Sequence, residues 1–90
     1  MPSTTEQTEM RERVLEFIRT ELAVDLGTID VTETTPLLQA GILDSLRTAK
    51  LIAWLRTEIG VRVPPTAMTG PNFRDAGTIA DLVLSLRATA

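Results

Sequence analysis

Residues 37–60 read LLQAGILDSLRTAKLIAWLRTEIG and contain the pattern that decides the fold. The first part reads as a loop that ends in Asp44 and Ser45, and the second part repeats apolar residues at helical spacing as far as Gly60. Aspartate and serine are preferred N-cap residues, and a glycine directly after a periodic segment is typical of a helix end. We therefore predict a helix over about residues 45–59, with Asp44 or Ser45 as its N-cap.

This predicted helix has two distinct faces when its residues are projected at about 100° each. The apolar face, which we expect to join the core, contains Ala49, Leu51, Ile52, Leu55 and Ile59. The opposite face, which we expect to be exposed, contains Leu46, Arg47, Lys50, Ala53, Trp54 and Thr57. Apolar groups flanked by cations on an exposed face are typical of a docking patch. The residues predicted to contact a partner protein are therefore Leu46, Arg47, Lys50, Ala53 and Trp54, although Trp54 has the alternative of packing against a later helix.

Ser45 would place one hydroxyl at the positive end of the helix dipole, beside backbone amides that have no helical acceptor. Such a position favours a phosphate group. The chain has no cysteine and no histidine, which excludes Ser-His-Asp and Cys-His catalysis within it and gives no reason to expect a metal site. The only lysine, Lys50, would point about 140° away from Ser45 around the helix. We therefore expect Ser45 to be a substrate of another enzyme, with no catalytic residue in this chain.

Two further main helices are predicted on either side of this segment. Over residues 6–22 the apolar residues recur at helical spacing, and Thr4, Thr5 or Thr8 would be the N-cap. The predicted core residues of this first helix are Met10, Val14, Phe17, Ile18 and Leu22. The last helix is predicted to begin near Thr78 with a sequence resembling a capping box and to end near Arg87.

The segments between these helices predict one long loop and one short helix. Residues 23–44 have no sustained period, but they are too apolar for a free linker, so we expect a loop held against the core, with a helical turn starting at Pro36. In residues 68–75, Pro71 suits the first position of a short helix, and Met68 and Phe73 are predicted to fill the core.

These elements predict an all-α fold, a small four-helix bundle of three main helices and one short helix with a long loop between helices one and two. Ninety residues suit one domain, residues 1–90, and we expect residues 1–5 to be a disordered tail. No apolar run reaches the roughly 18 residues of a membrane span, and the polar start does not resemble a signal peptide. We expect a cytoplasmic protein.

The net charge of −3 conceals an asymmetry along the chain. Residues 1–44 carry nine acidic and three basic side chains, whereas residues 45–90 carry three acidic and six basic ones. The predicted central helix, with Arg47, Lys50 and Arg56, lies in the basic half.

Several segments resemble the acyl carrier and peptidyl carrier protein family, over roughly residues 10–87. They are LDSL at residues 43–46 with the helix after it, GVRVP at residues 60–64, and Phe73 followed by GTIADLV at residues 77–83. The resemblance implies that a phosphopantetheinyl transferase attaches 4′-phosphopantetheine from coenzyme A to Ser45, with Asp44 and Leu46 as the neighbouring motif residues. It further implies a monomeric carrier that is loaded by an acyl- or amino-acid-activating ligase and serves a downstream acyltransferase or synthase.

One departure from the family narrows the expected pathway. Fatty-acid-type carriers have an acidic helix after the serine, whereas this helix is basic. Like-charge repulsion should slow and weaken the binding of partners with basic docking surfaces. We therefore expect a stand-alone carrier of acyl or aminoacyl thioesters for a specialised pathway of the nonribosomal peptide, aminoacyl or polyketide type. An acyl carrier for fatty acid or lipid synthesis is the alternative.

Two further classes remain as more remote alternatives. A helical nucleic-acid-binding module could use Arg47, Lys50 and Arg56 on phosphates, but the acidic total argues against it and we expect no nucleic acid or membrane partner. An adaptor with an unmodified serine is the other alternative.

Overall fold

The computed structural model describes residues 3–23 and 31–89. Its regular elements are three helices and two short 3₁₀ turns, and no strand occurs among the described residues. Helix α1 (Thr4–Phe17) continues into a wider π-type turn at Ile18–Leu22, and helix α2 (Ser45–Trp54) continues in the same way at Leu55–Ile59. The 3₁₀ turns are Pro65–Ala67 and Pro71–Phe73, and helix α3 is Ala76–Thr89. The predicted all-α bundle is confirmed, and none of the described helices is both long and apolar enough to cross a membrane.

Helix α1 begins earlier than the sequence predicted. Ser3, in extended backbone, accepts a hydrogen bond through its side chain from the Glu6 N–H at 3.1 Å, so it is the N-cap in place of the three predicted threonines. Ser3 and the first helical residues, Thr4 and Thr5, were expected in a tail and instead form the cap and first turn. Three hydroxyl residues follow one another here, and sequence preference alone does not separate them.

Helix α3 also begins before its predicted start at Thr78. The Asp75 carboxylate accepts a hydrogen bond from the Thr78 N–H at 2.8 Å and so caps the helix from the position before Ala76. Burial raises the pKa of Asp75, but the hydrogen bonds from Thr78 and Arg74 outweigh it and hold the pKa below its ordinary value.

The core contains most of the residues predicted for it. All five apolar residues expected of the first helix are buried, as are Leu51 of α2, Leu55 of the π-type turn after it and Phe73 of the second 3₁₀ turn. Two predictions are wrong. Ala49 is exposed, because the buried side of α2 lies around Leu51 and Leu55, far from it on the helical projection. Met68, expected to fill the core, is 47% exposed.

The long connection between α1 and α2 is held against the helices, as predicted. The Arg19 guanidinium donates two hydrogen bonds, at 2.9 and 2.7 Å, to the Val31 carbonyl, which fastens the loop to the end of α1. The Leu37 N–H donates to the Arg74 carbonyl at 2.8 Å, and the predicted turn at Pro36 is present. The apolar residues Val24, Leu26 and Ile29 lie outside the described residues.

A glycine allows the same loop to approach α3. The Gly77 N–H donates to the Glu33 carbonyl at 3.0 Å, and a Cβ atom at this position would lie 3.3 Å from that oxygen. The loop and the start of α3 are therefore joined directly through their backbones.

We expect truncation of Leu51 to be far more damaging than truncation of Leu46, although both leucines lie in α2. Leu51 is fully buried and Leu46 is 81% exposed. Leu51→Ala should reduce the free energy of unfolding by about 2–5 kcal/mol, because it leaves a cavity in the core. Leu46→Ala, the matched control, should change it by less than about 0.5 kcal/mol. Urea unfolding measures both, and similar losses in the two variants would contradict this description of the core.

The Asp75 cap predicts a pH dependence of stability. Because the pKa of Asp75 is lower in the folded protein than the ordinary value of 3.8, its stabilising effect is complete above that pH and is lost as the pH falls through the folded-state pKa. Near neutral pH, Asp75→Ala should lower the free energy of unfolding by about 0.5–2 kcal/mol. In acid the difference from the wild type should shrink. Urea titrations over a pH series test this, with the exposed Glu9→Gln as the control, and a difference that is constant with pH would disprove it.

Candidate functional site

The candidate site is the start of α2, where Asp44 is the N-cap. Asp44 has extended backbone, and one carboxylate oxygen accepts a hydrogen bond from the Arg47 N–H at 2.7 Å. Its other carboxylate oxygen accepts from the Arg47 guanidinium at 2.8 Å. These hydrogen bonds, first of all the one from the Arg47 N–H, lower the pKa of Asp44 from its ordinary value. The predicted cap is confirmed, and the carboxylate remains ionised at neutral pH.

Arg47 also fastens this site to α1. Its Nε donates to the Leu22 carbonyl at 3.1 Å, so one guanidinium joins the cap of α2 to the C-terminal end of the preceding helix. Lys50 makes a similar contact one turn later, since its ammonium lies 3.4 Å from the Glu21 carbonyl oxygen and 4.0 Å from the Glu21 carboxylate. The start of α2 is thus held on the end of α1 by two cations.

Ser45 is the first residue of α2, and it is exposed. Its amide and that of Leu46 belong to the first turn, where backbone N–H groups have no acceptor within the helix. A phosphate attached to the Ser45 oxygen would lie near these amides and the positive end of the helix dipole. The neighbouring Asp44 carboxylate would repel a phosphate, but its pairing with Arg47 reduces that repulsion. The residues present therefore fit a phosphodiester on Ser45.

The exposed face of α2 differs in part from the predicted one. Leu46, Lys50 and Ala53 are exposed as expected, and Ala49 joins them. Arg47 and Trp54, predicted on the same face, are half-buried and lie at its border with α1. The structure therefore brings together Ser45 and an exposed strip of small or apolar residues beside Lys50.

Trp54 packs against helix α1, whereas the sequence had suggested a later helix as the alternative to docking. Its ring is stacked on Phe17, with the ring centroids 4.4 Å apart and the planes 18° apart. Parallel stacking of this kind adds to the energy of burial by about 0.5–1.5 kcal/mol. The two aromatic rings are the last residues of α1 and α2 before each helix widens into its π-type turn.

Sequence reasoning missed the structural role of Arg47. The spacing of three residues from Asp44 could have indicated the ion pair, because residues three apart on a helix are neighbours. The hydrogen bond to Leu22, 25 residues away, has no signal in the local sequence.

Comparison with solved structures supports the helical fold. One structure, titled "Crystal structure of FAD-dependent dehydrogenase", contains a chain that is 34% identical to this one and superimposes with a TM-score of 0.72. The match covers 79% of this chain and 99% of that chain. None of the curated proteins with which the sequence was compared matches it.

Comparison with protein-family models identifies the family. The model described as "Phosphopantetheine attachment site" matches residues 12–84, which include the whole of α2 and its cap, the last part of α1 and the larger part of α3. The chain therefore belongs to the phosphopantetheine-attachment family, and it is a carrier domain whose cofactor is covalently bound 4′-phosphopantetheine.

Proposed function

We propose that Ser45 carries the 4′-phosphopantetheine and that the chain holds an acyl or aminoacyl group on it as a thioester. One observation supports this assignment above the others. Ser45 is the only serine within the matched residues 12–84, since Ser3 and Ser85 lie outside them. It is also exposed at the first position of a capped helix, where an incoming enzyme can reach its hydroxyl.

The surroundings of Ser45 would orient the cofactor without taking part in chemistry. Amides at an exposed helix start stabilise a nearby anion by about 0.3–1 kcal/mol, enough to bias the position of the phosphodiester but not to accelerate a reaction. When bound, the cofactor supplies the thiol that this cysteine-free chain lacks. Because the cargo is tethered, each encounter with a partner enzyme takes place at a raised effective concentration.

The exposed strip of Leu46, Ala49 and Ala53 beside Lys50 is the proposed docking face for the enzymes that act at Ser45. Its side chains are small or apolar, and the neighbouring Lys50 is an exposed cation. It suits partners with apolar or acidic surfaces, which we take to be a phosphopantetheinyl transferase, an activating ligase and a downstream acyltransferase or synthase. We place the carrier in a specialised pathway of the nonribosomal peptide, aminoacyl or polyketide type, as a cytoplasmic monomer, with fatty acid or lipid synthesis as the alternative.

Intact mass tests the attachment. Incubation with coenzyme A and a transferase of broad specificity should add one phosphopantetheine to the wild type and none to Ser45→Ala. Ser85→Ala changes another exposed serine, on α3, and should be loaded as the wild type is. An unchanged mass for the wild type, or equal loading of Ser45→Ala, would overturn the proposal.

The comparison with a solved structure suggests one partner class for the loaded carrier. Because 79% of this short chain aligns with 99% of the matched chain, that chain is itself about the size of a carrier domain, in a structure whose title names an FAD-dependent dehydrogenase. We therefore propose, as a second candidate, that the acyl group is oxidised while it is tethered. Two protons and two electrons would leave the acyl chain as a proton and a hydride, a double bond would form between the two adjacent carbons, and the FAD of the partner would be reduced to FADH2.

Flavin absorbance tests this second candidate. The chain loaded with a saturated acyl or aminoacyl group should bleach the flavin of a suitable FAD-dependent dehydrogenase faster than the same group on coenzyme A does, because docking adds to recognition. The acyl product should be lighter by two hydrogens. Equal rates with coenzyme A thioesters, or no bleaching across a panel of cargoes, would contradict this partner and leave the attachment at Ser45 unaffected.

A further inference from the structure

A groove between α1 and α2, on the side away from Ser45, has an aromatic floor and an acidic rim. Its volume is about 400 Å³, and its floor is the stacked pair Phe17 and Trp54. The carboxylates of Glu16, Glu21 and Glu58 line it. We call this surface the aromatic groove.

The charge of the aromatic groove reverses the expectation from the sequence, which placed Trp54 among the cations of α2. Glu21 forms an ion pair with Lys50 at 4.0 Å, whereas Glu16 and Glu58 form no ion pair with any described residue. Arg13 is the one cation among the lining residues in the described part of the chain. The groove therefore keeps an excess of negative charge beside a half-exposed indole.

The position of the groove leaves the phosphopantetheine site accessible. Trp54 follows Ser45 by nine residues within the regular part of α2, so the two point about 180° apart around the helix. A partner bound against Trp54 would therefore lie on the side of α2 opposite Ser45.

We propose that the aromatic groove docks a basic, arginine-bearing segment of a partner protein. A guanidinium is planar, so it stacks on an indole and at the same time pairs with carboxylates, whereas an ammonium does this less well. The stacking of Phe17 on one face of Trp54 holds the indole in place, which reduces the conformational entropy lost on binding. The partner so bound is an anchor or scaffold, because the groove lies apart from the reacting serine.

The lone tryptophan makes the test direct, because every change in tryptophan fluorescence reports on Trp54. Three end-blocked hexapeptides, alternating leucine with arginine, lysine or glutamate, are titrated into the full chain. We expect a saturable change with the arginine peptide, a weaker one with the lysine peptide and none with the glutamate peptide. High salt should weaken the binding of the arginine peptide.

Charge-neutral variants locate the binding. Glu16→Gln and Glu58→Gln should each reduce the affinity for the arginine peptide by roughly one-and-a-half- to fivefold, which is the range for exposed ion pairs. Glu12→Gln, the matched control, removes the same charge from an α1 residue that lines a different groove, and it should leave affinity unchanged.

Three results would overturn the proposal. They are the absence of a saturable change with the arginine peptide, equal binding of the glutamate peptide, and equal weakening by Glu12→Gln and Glu58→Gln. Loading of the groove variants by the transferase shows that they are folded. Because Ser45→Ala should still bind the peptide, failure of the groove and failure of the carrier assignment give different results.

Discussion

The Arg47 guanidinium is the contact on which the geometry of the site depends. It pairs with the cap residue of α2 and donates to the Leu22 carbonyl at the end of α1. Carbonyl groups at the C-terminal end of a helix lack partners and carry the negative end of the dipole, so cations are favoured there. Arg47 and Lys50 both donate hydrogen bonds to carbonyls at this end. These two cations therefore stabilise the packing of α2 on α1, whether or not a partner protein is bound.

Because Arg47 and Lys50 are bound to groups of the same chain, the basic sequence of α2 indicates less about the charge of its partners than it first suggested. A cation that is fixed by a carbonyl and a carboxylate contributes less to long-range attraction than a free one, because its nearest opposite charge is already in contact. Lys50 is exposed beside Leu46 but lies 4.0 Å from the Glu21 carboxylate, and Arg47 is half-buried and paired with Asp44. What an approaching enzyme meets around Ser45 is mostly small or apolar, so shape and apolar contact should outweigh charge in recognition there.

The features that sequence predicted are those set by local pattern. The bounds of α2, its Asp44 cap and its end at Gly60, which adopts a left-handed conformation with φ of 80°, follow from preferences within one or two turns. Ala49 was wrongly assigned to the core because it lies at the edge of a broad arc of apolar residues on the helical projection. The buried side is narrower than that arc, and a small, neutral side chain does not indicate whether its position is buried. The caps at Ser3 and Asp75 were missed because several residues nearby have similar preferences. The stacking of Trp54 on Phe17 depends on tertiary contact, which periodicity within one helix does not contain.

A carrier has to release every enzyme that acts on its cargo, and this requirement explains why two surfaces of different chemistry are useful. A tight contact on the face of Ser45 would block the next enzyme, so affinity there is limited by the need for exchange. Affinity placed on the opposite side of α2 has no such limit, because it raises the local concentration of a partner without occupying the serine. The acidic rim around Trp54 and the mostly uncharged strip around Ser45 keep these two kinds of contact chemically distinct. A basic segment would then bind the aromatic groove more tightly than the face around Ser45, and an apolar enzyme surface would bind the face around Ser45 more tightly than the groove.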